Sequence, residues 1–205
     1  IGLTENKYYQ TEQFLASDTA DATNFEAQAI GLNYKQSTLN RKIYATEGGQ
    51  VHLQANYIFG KENSVPGSTS PLVSPTENIN HVWCLFKGRL EQYFKLSKHI
   101  RFGGEMEGVL LLADNFLDNY TATMIQAPSY YPTIESKTFF ISEHASHDYI
   151  AGGVKAIFSV LPSLDLRVEG FVFQPHTEIL PNEFNLPAYD INNPWSARYY
   201  IGSGS

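Results

Sequence analysis

The chain has 205 residues, a formal net charge of −7, 17% charged residues and 14% aromatic residues. The negative charge argues against a nucleic-acid partner, and the single cysteine, Cys84, excludes an internal disulfide. No apolar run approaches the roughly 20 residues of a membrane-spanning helix. A transmembrane β-barrel stays compatible with this composition, because alternating strands average to a modest hydropathy.

In chain order, the sequence predicts almost no helix and about eight long strands. The strands are expected at about 7–16, 25–35, 50–61, 81–94, 100–112, 149–159 and 164–174, and from about 195 onward. Only residues 96–101 and 136–147 could form a turn of helix. The connections alternate in length: long polar loops at 62–80, 113–148 and 175–194, and shorter turns at 37–49, 95–99 and 160–163. Successive antiparallel strands should therefore place all long loops at one end and all turns at the other.

Most of these strands have one apolar and one polar face. In the strand at 164–174, Leu166 and Val168 alternate with Arg167 and Glu169. Such alternation suits a soluble β-sandwich or lipocalin-like barrel, and it also suits a transmembrane barrel whose apolar face meets lipid. The strand length of about ten residues and the long loops at one end favour the transmembrane barrel.

The charged side chains on the polar faces carry both signs at period two. If the barrel interpretation is right, they form a hydrated wall of the interior and pair across neighbouring strands, and they are not a catalytic set. These predicted lumen residues are Lys87, Arg89, Glu91, Glu105, Glu107, Lys155, Arg167 and Glu169.

The connection before the strand at 50–61 carries a family motif. The stretch "YKQSTLNRKIYATEGGQVHLQ" resembles a periplasmic hairpin of the bacterial surface-antigen superfamily, the barrels of outer-membrane assembly factors and their relatives. Ala45 stands where that family usually has proline. The matching positions after Tyr34 are Leu39, Asn40, Arg41, Tyr44, Thr46 and Gly48.

A second block, residues 119–179, is similar to one branch of this superfamily, the barrel that follows a patatin-like phospholipase domain in Gram-negative outer-membrane proteins. It carries "NYTA" at 119–122, "YIA" at 149–151 and "LRVE" at 166–169. The resemblance implies an all-β, antiparallel transmembrane barrel segment over residues 1–205, roughly the second half of a larger barrel without its closing strands. It implies location in the bacterial outer membrane, with outer-membrane lipid and other outer-membrane or periplasmic proteins as partners, and no cofactor.

The sequence also departs from the family. The superfamily loop that folds back into the lumen carries an arginine, whereas 113–148 has none, and His144 lies near that place. The patatin nucleophile elbow, Gly-x-Ser-x-Gly, is missing, so we expect no enzyme activity of this chain itself. Glu143, His144 and His147 have a spacing that could seat a metal on a helical turn, but no third segment supplies a ligand, and we expect no metal site.

Three functions therefore stay open at this point. The first is a barrel that anchors, translocates or displays a patatin-like lipid acyl hydrolase domain outside this chain. The second is the barrel of an outer-membrane assembly or secretion factor. The third is a soluble β-sandwich binding module.

Overall fold

The computed structural model describes residues 2–9, 13–70, 77–113, 120–161, 164–181, 187–189 and 194–204. Strands dominate, together with one short helix, α1 (Tyr120–Gln126), and 3-10 turns at Glu135–Thr138 and Ser142–His144. The strands are β1 (Gly2–Tyr8), β2 (Asp21–Ser37), β3 (Gly49–Val65), β4 (Glu77–Lys95), β5 (Ile100–Leu112), β6 (Asp148–Leu161), β7 (Leu164–Pro175), β8 (Ile179–Pro181), β9 (Pro187–Tyr189) and β10 (Tyr199–Gly204).

Eight of these strands form one antiparallel sheet. Its order is β1-β2-β3-β4-β5-β6-β7-β10, so every strand pairs with its neighbour in the chain except across the separate β8-β9 ribbon. The prediction of an antiparallel all-β fold is confirmed. Closure into a barrel is not seen, because β1 and β10 lie at opposite edges and do not pair with each other.

The first and last strands differ from the sequence prediction. A strand was expected at about 7–16, but β1 spans Gly2–Tyr8 and residues 13–16 are not in a strand, while residues 10–12 lie outside the described part of the chain. The next strand, β2, begins at Asp21, four residues before the predicted position 25. The segment of β1 has no clear alternation, and its register is fixed by pairing with β2, from Gly2 opposite Ala27 to Tyr8 opposite Asp21. Tertiary pairing thus overrides a weak local pattern. The last strand likewise begins at Tyr199, not near 195.

The helical turns also lie at other positions than the sequence predicted. The expected helical turn at 96–101 is instead a tight bend, in which the Leu96 and Ser97 amides donate to the Ile100 carbonyl. Helix α1 was not predicted, since it lacks acidic residues in its first turn and basic ones in its last. It forms where Ala122 and Met124 pack into buried clusters. Among the described residues, no helix is long and apolar enough to cross a lipid bilayer.

The connections fall at two ends of the sheet, as the sequence predicted. At the turn end, the Tyr93 amide donates to Gly48, and Arg101 donates to Ser159, so the three short connections lie together. At the opposite, loop end, the His176 amide donates to the Asp148 carbonyl. The predicted loop at 62–80 is shorter than expected, because residues 62–65 belong to β3 and residues 77–80 to β4. Its described remainder, residues 66–70, follows β3 at this loop end.

The sheet has an exposed apolar face and a covered polar face. Leu32 is 80% exposed and Val154 69% exposed, and both point to the apolar face with side chains from β2 to β7. The buried core lies on the other face, where Trp83, Tyr149 and Phe173 pack. The exposed apolar side chains are Ile30, Leu32, Tyr34, Leu53, Tyr57, Val82, Phe86, Leu90, Phe94, Phe102, Met106, Leu110, Leu112, Ile150, Val154, Phe158, Leu164, Leu166 and Val168.

Candidate functional site

The hairpin motif forms an ordered turn between β2 and β3. The Asn40 side chain donates to the Thr46 hydroxyl at 2.9 Å and accepts from the Thr46 amide at 3.0 Å, so it bridges the loop from inside. Gly48 has a φ of +89°, and a Cβ there would lie 2.1 Å from the Thr38 carbonyl oxygen. Only glycine fits that close approach in a left-handed conformation. The turn therefore uses Asn40, Thr46 and Gly48 to fix the backbone.

Other motif residues attach this turn to the polar face. Leu39 packs on the buried cluster of Ala45, Tyr93 and Ile157. The Arg167 guanidinium donates to the Ala45 carbonyl at 3.0 Å and lies 5.4 Å from the centre of the Tyr44 ring.

Two positions of the motif have distinct surroundings. Arg41 is exposed. The Tyr44 hydroxyl donates to Glu135, and this bond raises the pKa of Tyr44 and lowers the pKa of Glu135.

All eight predicted lumen residues lie on the polar face of adjacent strands and are joined by ion pairs. Four are cationic and four anionic, so the group is neutral as a whole. The nitrogen–oxygen distances are 2.7 Å for Lys87–Glu107, 3.1 Å for Arg89–Glu105, 3.5 Å for Arg89–Glu107, 2.8 Å for both Lys155–Glu91 and Lys155–Glu105, and 3.2 Å for Arg167–Glu169. We call this set the charged network; whether it faces a lumen stays a prediction.

The charged network is drier than the sequence suggested. Glu105, Glu107, Lys155 and Arg167 are all buried, and Glu107 is only 2% exposed. A hydrated wall was expected, because charged side chains at period two usually face water. Each buried charge must instead be compensated locally, which the alternating signs achieve.

Tyrosines complete the hydrogen bonding of this network. The Tyr130 hydroxyl donates to Glu105 at 2.8 Å, the Tyr149 hydroxyl donates to Glu107 at 2.7 Å, and the Tyr93 hydroxyl donates to Glu91 at 2.6 Å. Burial raises the pKa of Tyr130 well above its ordinary value of 10.0, and the neighbouring Glu105 adds to this effect. Tyr130 therefore stays a protonated donor. Sequence reasoning missed the bonds of these tyrosines to the glutamates, because no motif marks a tyrosine that donates to a buried carboxylate.

Tyr130 belongs to a segment that runs along the polar face and back. We call residues 120–147 the fold-back segment. It starts at the loop end, where Ala122 packs near Trp83, reaches the turn end at Glu135, and returns to the loop end, where the Leu111 amide donates to the His147 carbonyl. A bridge between Ser129 and Ala145 pairs its two arms. This segment covers part of the charged network, where Tyr130 contacts Glu105.

Histidines occupy two separate places near the loop end. His81 and Glu62 form a buried pair, Nε2 to Oε2 2.6 Å, on adjacent strands β4 and β3, which the sequence did not single out. His144 lies in the fold-back segment, 5.9 Å from the Phe173 ring, and burial lowers its pKa and that of His147. In the described part of the chain, no group of three or more His, Cys, Asp or Glu side chains could hold a metal ion.

Comparison with known proteins gave no relatives. No protein-family model matches the sequence. No curated protein and no solved structure matches it either. The function must therefore be argued from the two faces of the sheet.

Proposed function

We propose that this chain is a segment of a bacterial outer-membrane β-barrel that anchors an attached domain in the membrane. The observation that carries the proposal is the exposed apolar face, which extends over six neighbouring strands from β2 to β7. A soluble protein rarely leaves so large a continuous apolar surface in contact with water. A lipid bilayer covers such a surface, and the regular pairing of the strands satisfies their backbone groups.

The arrangement of charge supports the same proposal. The charged network is confined to the opposite face of the sheet, where every member is ion-paired. Ionisable groups inside a membrane protein are expected to face its interior and to pair with one another. The attached domain, by the family resemblance, is a patatin-like lipid acyl hydrolase outside this chain, and the role of this chain is anchorage and display.

The soluble sandwich is less well supported. A sandwich needs a second sheet packed on the apolar face, about 10 Å away. The second sheet that the structure describes is the two-stranded β8-β9 ribbon, which packs against α1 and not on this face. The assembly-factor alternative shares the membrane location, but the fold-back segment lacks the arginine of that family.

Val154 offers a direct test of the lipid-facing assignment. It lies at the middle of β6 on the apolar face, opposite Gly104 on β5 and Gly170 on β7. Neither glycine has a heavy atom within 4 Å of the place where a Cβ would be. The two glycines therefore leave room for an arginine side chain at position 154. Any loss of stability in Val154→Arg then reports on whether this face meets lipid or water.

We expect Val154→Arg to make folding into lipid vesicles less favourable by about 2–4 kcal/mol. The measurement is the heat-modifiable gel mobility of the refolded protein across a urea series. Leu96→Arg, in the exposed bend at the turn end, is the matched control and should cost about 0–1 kcal/mol. Equal folding of Val154→Arg and the native chain in vesicles would show that this face does not meet lipid.

A further inference from the structure

A cavity lies between the charged network and the tip of the fold-back segment. Its volume is about 690 Å³, and its walls include Arg89 and Lys155 on the sheet and Tyr131 and Glu135 on the segment. This volume is within the range of about 300–1,000 Å³ that is usual for small-molecule sites. The β2-β3 turn, through Tyr44 and Ala45, forms the wall at the turn end.

The cavity lining is positive although the chain is negative. Seven lysine or arginine side chains line it against four glutamates, so the lining carries three positive charges in excess. The whole chain, by contrast, has a net charge of −7. The excess comes from Lys35, Lys42 and Lys137, none of which has an ion-pair partner among the described residues.

These three lysines come from separate elements that the fold brings together. Lys35 lies on β2, Lys42 in the β2-β3 turn and Lys137 in the first 3-10 turn. The hydrogen bond from Tyr44 to Glu135 joins the turn to the fold-back segment, two residues away from Lys42 on one side and from Lys137 on the other. All three lysines are exposed and line the cavity, so they are accessible to an anion from solution.

We propose that this cavity binds a small, soluble, multivalent anion of the phosphate class. The three unpaired lysines supply the attraction, while the paired Arg89 supplies a planar donor group deeper in the cavity. A lipid headgroup fits less well, because the cavity opens on the polar face and an attached acyl chain would lie on charged groups. This inference does not depend on the membrane assignment, since the cavity is formed within this chain alone.

The test is isothermal titration calorimetry of the full chain in detergent micelles with sodium pyrophosphate as the probe. We expect one saturable site for the native chain and no saturable heat from sodium chloride at the same ionic strength. Lys42→Gln and Lys137→Gln should each weaken pyrophosphate binding by roughly two- to five-fold, the range of one exposed charge pair. Because both side chains are exposed and unpaired, these variants should fold as the native chain does.

Lys98→Gln is the matched control. Lys98 is exposed at the same end of the sheet and carries the same charge, but it does not line the cavity. Its substitution should leave pyrophosphate binding unchanged within experimental error. The proposal is overturned if the native chain gives no saturable heat, or if Lys98→Gln weakens binding as much as Lys137→Gln does. Tighter binding of an anionic phospholipid in mixed micelles than of pyrophosphate would equally overturn it, since it would assign the site to a lipid.

Discussion

Glu107 is a buried carboxylate of the charged network with three polar partners. Its carboxylate accepts from Lys87 at 2.7 Å, from Arg89 at 3.5 Å and from the Tyr149 hydroxyl at 2.7 Å. It is also among the least exposed of the charged side chains. A buried cation that loses its partner retains the full cost of its own desolvation, so removal of one carboxylate affects several groups at once.

We expect Glu107→Gln to lower the free energy of unfolding by about 3 kcal/mol, because it leaves Lys87 and Arg89 with less compensation. The measurement is the urea midpoint in detergent micelles with an unchanged m-value. Glu47→Gln is the control, because Glu47 also pairs with an arginine, Arg101 at 3.4 Å, but is half-exposed. That substitution should cost less than about 1 kcal/mol. Equal losses in the two variants would mean that burial does not set the strength of these pairs.

At the scale of elements, the stability of the fold-back segment should depend on pH. Its arms are held together by the Tyr130 amide donating to His144 at 2.9 Å and the Ser146 amide donating to Pro128 at 3.1 Å. Burial lowers the pKa values of His144 and His147 from the ordinary 6.5, against the opposing effects of Glu143 and Asp148. Both histidines are therefore held neutral while the segment is in place.

The direction of the pH effect follows from these lowered pKa values. An open segment binds protons at its histidines more readily than the packed one, so the packed state loses stability as the pH falls below about 6.5. We expect hydrogen exchange at the Tyr130 and Ser146 amides, corrected for its intrinsic pH dependence, to become faster between pH 7.5 and 5.5.

The control for this prediction is His144→Phe, which keeps a ring beside Phe173 but cannot take up a proton. It should retain only the part of the pH dependence that comes from His147. An identical pH dependence in the variant and the native chain would show that protonation of His144 does not open the segment. The exchange of amides in β4 and β5 should stay constant in both proteins and so report on global unfolding.

For the molecule as a whole, the two faces of the sheet predict where each surface lies in a membrane. Cys84, the single cysteine, sits on β4 opposite Tyr57 and Leu112, with its side chain on the apolar face. It forms no disulfide and is partly exposed in the isolated chain. Its reactivity therefore reports on whether that face meets water or lipid.

We expect Cys84 to react with a charged, membrane-impermeant maleimide in urea but not after the chain is reconstituted into lipid vesicles. The reagent is supplied on both sides of the bilayer, and modification is measured by mass spectrometry. The control is a Cys84→Ala, Lys98→Cys variant, whose thiol lies in an exposed bend and should be labelled to completion in vesicles. Complete labelling of Cys84 in the same vesicles would contradict the membrane assignment of the apolar face.

The sequence by itself determined the six strands β2 to β7, the two ends of the sheet and its two faces. Alternation of period two is a local property, so Arg167 and Val168 are assigned to opposite faces without knowledge of the fold. The turn residues Asn40, Thr46 and Gly48 were also predictable, because their hydrogen bonds and the positive φ of Gly48 arise within eleven residues. The eight members of the charged network could be named for the same reason, although not how they pair.

Only the tertiary structure decided what covers each face and which groups meet. The contact of Tyr130 with Glu105 joins residues 25 positions apart, and that of Arg167 with Ala45 joins residues 122 apart. The same holds for the buried His81–Glu62 pair and for the three lysines at the cavity. No local pattern encodes such contacts, because they depend on the path of the fold-back segment and on strand register. That path turned an expected hydrated wall into a partly buried ion-pair network. A covering segment changes the dielectric surroundings of a charge without changing its sequence neighbours.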